Sequence, residues 1–545
     1  MLFVDVEASV ERSARVDPED WQRLMDRLFG ILRAGIERFG GTVDKFTGDG
    51  AVALFGAPIA DEDHARRGCY AALQLRDELA GEELGLGVRL GLSSGEVVVG
   101  LIGDEDYTAI GHTVGLAARM QELAEPGTVY ITEHTAALVD GHFDLIKLGP
   151  FRVKGAPRRV VVHELAGAWA PRTRLEVSAA RGLSPFVGRD AELAVLEAAV
   201  ARAGAGEPSI VAIAGDAGVG KSRLCHELTT RCRAANIGVW HMVGRAHLRN
   251  VEFAAVRELL RTYFGVDEED DPAIVRATIE QQMLAADATL RDALPLVLGF
   301  LLGEPDGELL AMLDRVARAH TRTESGVIIV ENLQWLDPGS RAFVERLTGM
   351  LAGTCLLLVV TSRTEIKARR PRGIPSRRIA LGPLPPDAVD TLLANLLDGD
   401  TAMADAAGEI RRRTGGNPFF AEEVVLALRD TGELAIPPTV QALIAARIDR
   451  LGEREKAVLQ AAAVIGGRFS ERLMRRVTGL GRRATAAALR VLVARHLLTE
   501  TAGRYAFATP LIEEAAFAAQ TGEQRALLER AVAGELETRS RASVN

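Results

Sequence analysis

The sequence predicts an α/β multidomain protein, and three observations carry that expectation. Strand-like and helix-like patterns alternate over residues 1–165. An apolar strand, a glycine-rich loop and a helix follow one another from Ser209. From Pro385 onward helical patterns dominate. At 545 residues the chain exceeds one ordinary core, so several domains are expected.

The first segment reads as follows. Residues 2–6 form a short strand, and Asp17-Pro18 starts a helix with Asp17 as cap. Trp21, Leu24, Met25, Leu28, Leu32, Ile36 and Phe39 then recur at helical spacing until Gly40-Gly41. Thr42 to Phe46 and Ala51 to Phe55 are strands around the turn Thr47-Gly48-Asp49-Gly50. A helix over about 62–80, strands at Gly87 to Leu92 and Glu96 to Gly100, a helix from Val114 to Ala124 and a strand at Val129 to Thr132 complete it. Residues 166–184 lack periodicity and read as a linker. Alternating pattern resumes from Ser209 to Arg363, and the basic stretch Ile366 to Arg378 reads as a solvated loop.

Composition removes several classes. With 48% apolar and 26% charged residues the chain has the profile of a globular protein. The net charge of −9 argues against nucleic acid as a partner, because neutralising phosphates needs a basic face. Cys69, Cys225, Cys232 and Cys355 are dispersed without CxxC spacing, which speaks against zinc or a disulfide framework. No apolar run approaches the roughly 18 residues that cross a bilayer. Asp5 and Glu7 stand where a signal peptide would carry basic residues. A cytoplasmic protein without a membrane partner is expected.

Five charges in the first segment carry the chemistry: Asp5, Lys45, Asp49, Arg119 and Lys154. Two carboxylates on adjacent backbone segments can hold a pair of divalent cations, Mg²⁺ or Mn²⁺, which activate a hydroxyl and neutralise a leaving phosphate. An arginine and a lysine then stabilise charge on the phosphates. Phe3-Val4-Asp5, Lys45-Phe46-Thr47-Gly48-Asp49-Gly50, Gly91-Leu92-Ser93-Ser94-Gly95, Tyr107-Thr108-Ala109-Ile110-Gly111 and Leu116-Ala117-Ala118-Arg119-Met120 resemble class III nucleotidyl cyclases, in the family's order. The resemblance implies a ferredoxin-like cyclase domain over 1–165. It makes Asp5 and Asp49 the metal ligands, Lys45 and Thr108 the purine readers, Arg119 the transition-state residue and Lys154 the phosphate lysine. Lys with Thr implies ATP rather than GTP. The family's sites form between two cyclase domains, so a head-to-tail homodimer or a partner cyclase is implied.

The sequence departs from that family at two places. Gly115, four residues before Arg119 and on the same helix face, stands where the family has Asn, and His112 stands where Asp is usual. Losing one preorganised donor costs about 3 kcal/mol, or roughly 10²–10³ in rate.

Gly215-Asp216-Ala217-Gly218-Val219-Gly220-Lys221-Ser222 matches GxxxxGK[ST] between a strand and a helix, a P-loop. There Gly215, Gly218 and Gly220 let the backbone wrap the phosphates of ATP, Lys221 reaches the terminal phosphates and Ser222 ligates Mg²⁺. Val327 to Val330 lead to Glu331, placed to hold the same Mg²⁺; Asn332 occupies the next position, where an acid often activates water. Arg363 follows a further strand and is placed to sense the γ-phosphate.

These features, with Pro185-Phe186-Val187-Gly188-Arg189, Trp335-Leu336-Asp337-Pro338 and Gly415-Gly416-Asn417-Pro418-Phe419-Phe420, resemble STAND-class signalling ATPases. The resemblance implies a P-loop core over 185–365, a helical lid over 366–435 and a winged-helix-like, α-rich region over 436–545. It places Val187-Gly188-Arg189 and Pro418 beside the adenine. Arg475, Arg476, Arg482 and Arg483 read as a solvated face. Two functions stay open: a cyclase regulated by the ATPase, or a nucleotide switch whose cyclase domain only dimerises.

Overall fold

The computed structural model describes residues 1–7, 9–57, 60–81, 87–102, 106–169, 173–266, 270–302, 315, 325–363, 373–397, 401–432, 434 and 436–542. The chain divides into two compact units. Met1–Glu37, Gly41–Arg172 and Pro383–Asn545 make the first; Arg38–Gly40 with Thr173–Gly382 make the second.

In the first unit β1 (Leu2–Val6) alternates, burying Leu2, Val4 and Val6 and turning Phe3 and Asp5 to the opposite face. After α1 (Ser9–Ser13), α2 (Pro18–Arg38) starts where Asp17 accepts the Glu19 N–H at 2.9 Å and buries Met25, Leu28, Leu32 and Ile36. Next come β2 (Thr42–Thr47), β3 (Gly50–Leu54), α3 (His64–Ala80), β4 (Val88–Leu92), β5 (Val98–Ile102), β6 (Asp106–Ile110) and α4 (His112–Leu123). The segment ends with β7 (Val129–Thr132), α5 (Glu133–Val139), β8 (Phe143–Phe151) and β9 (Val160–Ala168). The main sheet runs β2-β3-β1-β4-β7-β9-β8, and β5 and β6 form a separate antiparallel hairpin.

Helix α4 lies directly on β4. A Cβ on Gly91 would stand 2.0 Å from Gln121 N and 2.5 Å from Ala117 O, so only glycine permits this approach. That single absence of a side chain fixes the height and rotation of α4 above the sheet.

The remainder of the first unit is mostly helical: Pro386–Leu397, Thr401–Thr414, Pro418–Thr431, Pro438–Asp449, Glu453–Ile465, Glu471–Thr478, Arg482–Ala494, Pro510–Ala518 and Gly522–Ala542. A small antiparallel sheet, Phe469–Ser470, Arg504–Phe507 and Leu498–Thr501, sits among them. Helix Pro438–Asp449 packs against α5. There Asp449 accepts the Ala60 N–H at 3.1 Å and pairs with Lys456 at 3.4 Å. In the arginine-rich region Arg476 pairs with Glu535 at 2.8 Å.

The second unit begins with α6 (Arg174–Arg181), closed by a capping box between Thr173 and Glu176. The stretch read as a linker thus carries a helix, because a box of two local hydrogen bonds starts one without long-range periodicity. After it come α7 (Asp190–Gly204), β10 (Ser209–Gly215), α8 (Lys221–Ala234), β11 (Gly238–Val243), β12 (Gly326–Glu331), β13 (Leu356–Ser362) and β14 (Ser376–Leu381). The sheet runs β11-β12-β13-β10-β14 with every pair parallel. β12 and β13 are buried along their whole length, as expected for a parallel sheet covered on both faces. Within the basic stretch, residues 366–372 lie outside the described residues, and Ser376 to Arg378 are not loop but the exposed start of β14. No helix among the described residues is long and apolar enough to cross a membrane.

Candidate functional site

The antiparallel register of β1 and β3 sets Asp5 opposite Gly50, so Asp49, one residue earlier in the turn, meets Asp5 across the pair. Burial, and then the Asp49 charge with a hydrogen bond to it, push the Asp5 carboxyl above its ordinary range; Arg89 opposes this. Ser9 donates to Asp49 Oδ2, and Gln121 from α4 hydrogen-bonds Asp5. Two like-charged carboxylates held together are costly alone and fit a hard cation between them. Among the described residues no group of three or more potential metal-ligating side chains occurs. A bare carboxylate pair suits Mg²⁺ or Mn²⁺, which take one or two carboxylates plus phosphate oxygens of a substrate.

A second cluster sits midway along β2. Register slips between Val43 and Lys45, making Asp44 a bulge residue. Thr108 on β6 donates to Asp44 Oδ2 at 2.8 Å, and Lys45 Nζ stands 3.8 Å from the same oxygen. The Asp44 side chain is 2% exposed whereas that of Lys45 is 57% exposed. The structure therefore brings Lys45 and Thr108 together, through a carboxylate that the sequence reading passed over.

The third element is the exposed stripe of α4. His112, Gly115 and Glu122 are exposed at helical spacing, with Arg119 between them and paired to Glu122. A Cβ on Gly115 would meet nothing within 4 Å. Arg119 and Gln121 are two residues apart, about 200° around a helix of 3.6 residues per turn. Because Gln121 faces Asp5, Arg119 faces away from the carboxylate pair of its own chain. Lys154 is exposed in the turn after β8, anchored by Val153, which is buried in one cluster with Met120 of α4 and Ala124 just beyond it.

In the second unit the C-terminal ends of β10, β13 and β12 lie side by side, which places Gly215, Arg363 and Glu331 along one edge. Gly218 and Gly220 hold φ of 83° and 102°, the left-handed region that favours glycine, and Gly220 leads into α8 at Lys221 and Ser222. Lys221 Nζ donates to Gly215 O at 2.8 Å and to Asp216 O at 2.7 Å. Burial pulls its ammonium down to about 8, against the charges of Asp216, Cys225 and Glu331.

Glu331 is buried and its Oε1 lies 3.7 Å from His241 Nδ1, whose Nε2 contacts Thr229 Oγ1 at 3.1 Å. Asn332 is left-handed at φ 54°; its N–H donates to Thr361 at 3.0 Å and its amide to Gly244 O at 3.4 Å. The Arg363 guanidinium stacks 5.8 Å over the Trp335 ring. Arg189 is buried and donates to Val219 O at 3.2 Å and to Gly382 O, so it braces the P-loop. Pro418 belongs to the first unit, opening a helix capped by Asn417. His241 had no sequence signal, and its approach to Glu331 arises because β11 and β12 pair in the folded sheet; Arg189, in the Val187-Gly188-Arg189 motif, shows its bracing contacts only in the fold.

Residues 1–167 match the family model described as the adenylate and guanylate cyclase catalytic domain, and residues 185–360 match the AAA ATPase domain. The chain joins a cyclase domain to an AAA-type ATPase domain. An uncharacterized protein of Rhizobium meliloti is 26% identical over 573 residues, covering 97% of this chain and 55% of that protein. The chain thus spans about half the length of that relative. Adenylate cyclase 1 of Rhizobium meliloti is 29% identical over 181 residues, covering 30% of this chain and 27% of the relative. Among solved structures, the adenylyl cyclase CyaB from P. aeruginosa aligns with 26% identity and a TM-score of 0.29, covering 31% of this chain and 93% of that one.

Proposed function

We propose that the cyclase domain converts ATP to cyclic AMP and pyrophosphate, and that the nucleotide state of the ATPase domain controls it. The observation that carries this reading is the meeting of Asp5 and Asp49 across β1 and β3. Mg²⁺ or Mn²⁺ held by this pair would supply activation of the ribose 3′-hydroxyl and neutralisation of the departing pyrophosphate. In the reaction the 3′-oxygen bonds to the α-phosphorus, the bond to the bridging oxygen of pyrophosphate breaks, and the hydroxyl proton is released. Arg119 stabilises charge growing on the α-phosphate, Lys154 binds the terminal phosphates, and Lys45 with Thr108 read the base. The match to an adenylate cyclase among the relatives favours ATP.

Because Arg119 faces away from its own carboxylate pair, the working site takes Asp5 and Asp49 from one cyclase domain and Arg119 from another. A head-to-tail homodimer supplies two equivalent sites; a partner cyclase is the alternative. Val98 and Ile110, opposite each other on the β5–β6 hairpin and 61% and 56% exposed, offer apolar surface for that pairing.

The C-terminal region reads as the helical lid and winged-helix-like domain of a STAND-type ATPase, in whose core Ser222 and Glu331 would hold Mg²⁺. The packing of Pro438–Asp449 on α5 gives such a module direct purchase on the cyclase domain. Both activities would draw on ATP, which supports a cytoplasmic protein.

The test is cyclic AMP formation by the purified chain with ATP and Mn²⁺, beside Asp49→Ala and Lys221→Ala. Product that vanishes with Asp49→Ala supports the cyclase, and a rate altered by Lys221→Ala supports control by the ATPase. No product, with ATP still bound at Lys221, sinks the catalytic reading. A second reading, a switch whose cyclase domain only dimerises, draws support from Gly115, which offers no donor, and from Asn332, whose amide is turned to Gly244.

A further inference from the structure

We infer that Asp44 is a positioning residue for base selection: it fixes the Thr108 hydroxyl as a hydrogen-bond acceptor and so makes the cyclase site prefer adenine. The inference rests on the reading of Lys45 and Thr108 as the residues that meet the purine.

The argument starts from the bulge. As the extra residue between Val43 and Lys45, Asp44 escapes the alternation of β2, and its side chain turns inward to 2% exposure. An ionised carboxylate has no hydrogen to give. The single hydroxyl proton of Thr108 therefore points at Asp44 Oδ2, 2.8 Å away. Oδ1 of the same carboxylate is buried without a hydrogen-bond partner among the described residues. Lys45 at 3.8 Å is beyond hydrogen-bond range, so Thr108 is the close donor to this buried charge. Rotating the hydroxyl away would leave the carboxylate bare, which a buried charge resists.

The consequence for a ligand is a polarity. Thr108 has only lone pairs left to present, and Lys45, with an exposed ammonium, has only donors. An acceptor beside a donor complements adenine, whose 6-amino group donates and whose N1 accepts. Guanine offers the reverse, an accepting O6 beside a donating N1–H. Lone pairs facing O6 and an ammonium facing N1–H leave both edges unsatisfied, the situation in which polar sites reject the wrong partner most strongly. A threonine alone is ambiguous, since a hydroxyl both donates and accepts; the buried aspartate removes the ambiguity.

Asp44→Asn is the test, because an amide of the same shape can donate to Thr108 and release its proton toward a guanine O6. ATP and GTP binding with Mn²⁺ are measured by equilibrium dialysis on the full chain carrying Lys221→Ala, which silences the P-loop site, and thermal unfolding checks the fold. The ratio of ATP to GTP affinity is expected to fall about tenfold in Asp44→Asn, the value of one hydrogen bond gained or lost. In a Thr108→Ala background the same substitution is expected to change nothing, a coupling that a purely structural role would not show. Equal weakening of both nucleotides, or a ratio unchanged while Lys45→Ala collapses it, overturns the role of Asp44. A ratio insensitive to Lys45→Ala overturns the underlying assignment of the base site instead. Should Asp44→Asn not fold, Thr108→Val reads the same proton: it removes the acceptor and is expected to lower ATP affinity while leaving GTP affinity nearly unchanged. Loss of both nucleotides there overturns the inference.

Discussion

Gly115→Asn is the substitution on which the structure gives the most leverage. Position 115 lies on the exposed stripe of α4, and an added Cβ meets no atom within 4 Å, so the new side chain enters open space. Helix propensity favours the change by a few tenths of a kcal/mol, roughly 0.3. The competing cost is small: Arg119 must leave Glu122, and an exposed pair of this kind holds only about 0–1 kcal/mol. Against these stands the gain of a donor one helical turn from Arg119, worth about 3 kcal/mol if it meets the transition state, or roughly 10²–10³ in kcat. The assay is cyclic AMP production with ATP and Mn²⁺, beside Gly115→Ala, which gains the propensity but not the donor. The expected result is a large rise in kcat with Asn, none with Ala, and a slightly higher melting temperature for both. A folded Gly115→Asn protein with unchanged rate would refute the assignment of this face to the reacting phosphate.

Three further outcomes are expected. Mixing inactive Asp49→Ala and Arg119→Ala chains restores activity to about a quarter of wild type, because half of random dimers are mixed and each holds one intact site; no recovery would mean that both residues serve one chain. Gly91→Ala destabilises by about 1–3 kcal/mol in denaturant titration, since its Cβ would fall 2.0 Å from Gln121 N, and an unaffected midpoint would show that α4 does not rest on β4. ATP affinity at the P-loop falls as pH rises through about 8, the depressed Lys221 value, by roughly tenfold between pH 7 and 9. The sign follows because phosphate binds the ammonium and the free protein loses it first; by the same shift, Lys221 burial costs folding stability below about 8, and that cost disappears above the ordinary 10.5. A flat calorimetric profile would contradict this.

What the sequence made legible follows the range of the interactions involved. The Asp17 cap, the period of α2 and the Gly-rich loop before Lys221 are local, and all appear where the pattern put them. Asp5 and Asp49 were readable as a pair because each belongs to a motif, and the sheet supplies the meeting. β6, β8 and β9 carry weaker local patterns and are held by pairing with distant strands. Asp44 was hidden for a different reason: on an unbulged strand it would alternate outward as one more surface charge. Only the slip at Val43 and Lys45 makes it an inward group. The family resemblance sets Val187-Gly188-Arg189 beside the adenine; what only the fold adds is that the Arg189 guanidinium also serves the loop backbone at Val219.

The arrangement of α4 bears on regulation as much as on catalysis. Gly91 holds the helix against β4, Gln121 turns to the carboxylates, and Arg119 turns outward on the opposite side. One helix thus separates the two halves of the proposed chemistry by construction, and no rearrangement within a chain that keeps α4 on β4 can unite them. Control is therefore most economically exerted on the pairing of two cyclase domains rather than on the shape of either. α5 is suited to transmit it: it follows β7, which neighbours β4 in the sheet, and its outer side carries helix Pro438–Asp449. A nucleotide-driven movement of that helix needs to change only how two copies meet, and a differential affinity of about 1–3 kcal/mol between nucleotide states would suffice for a signalling response.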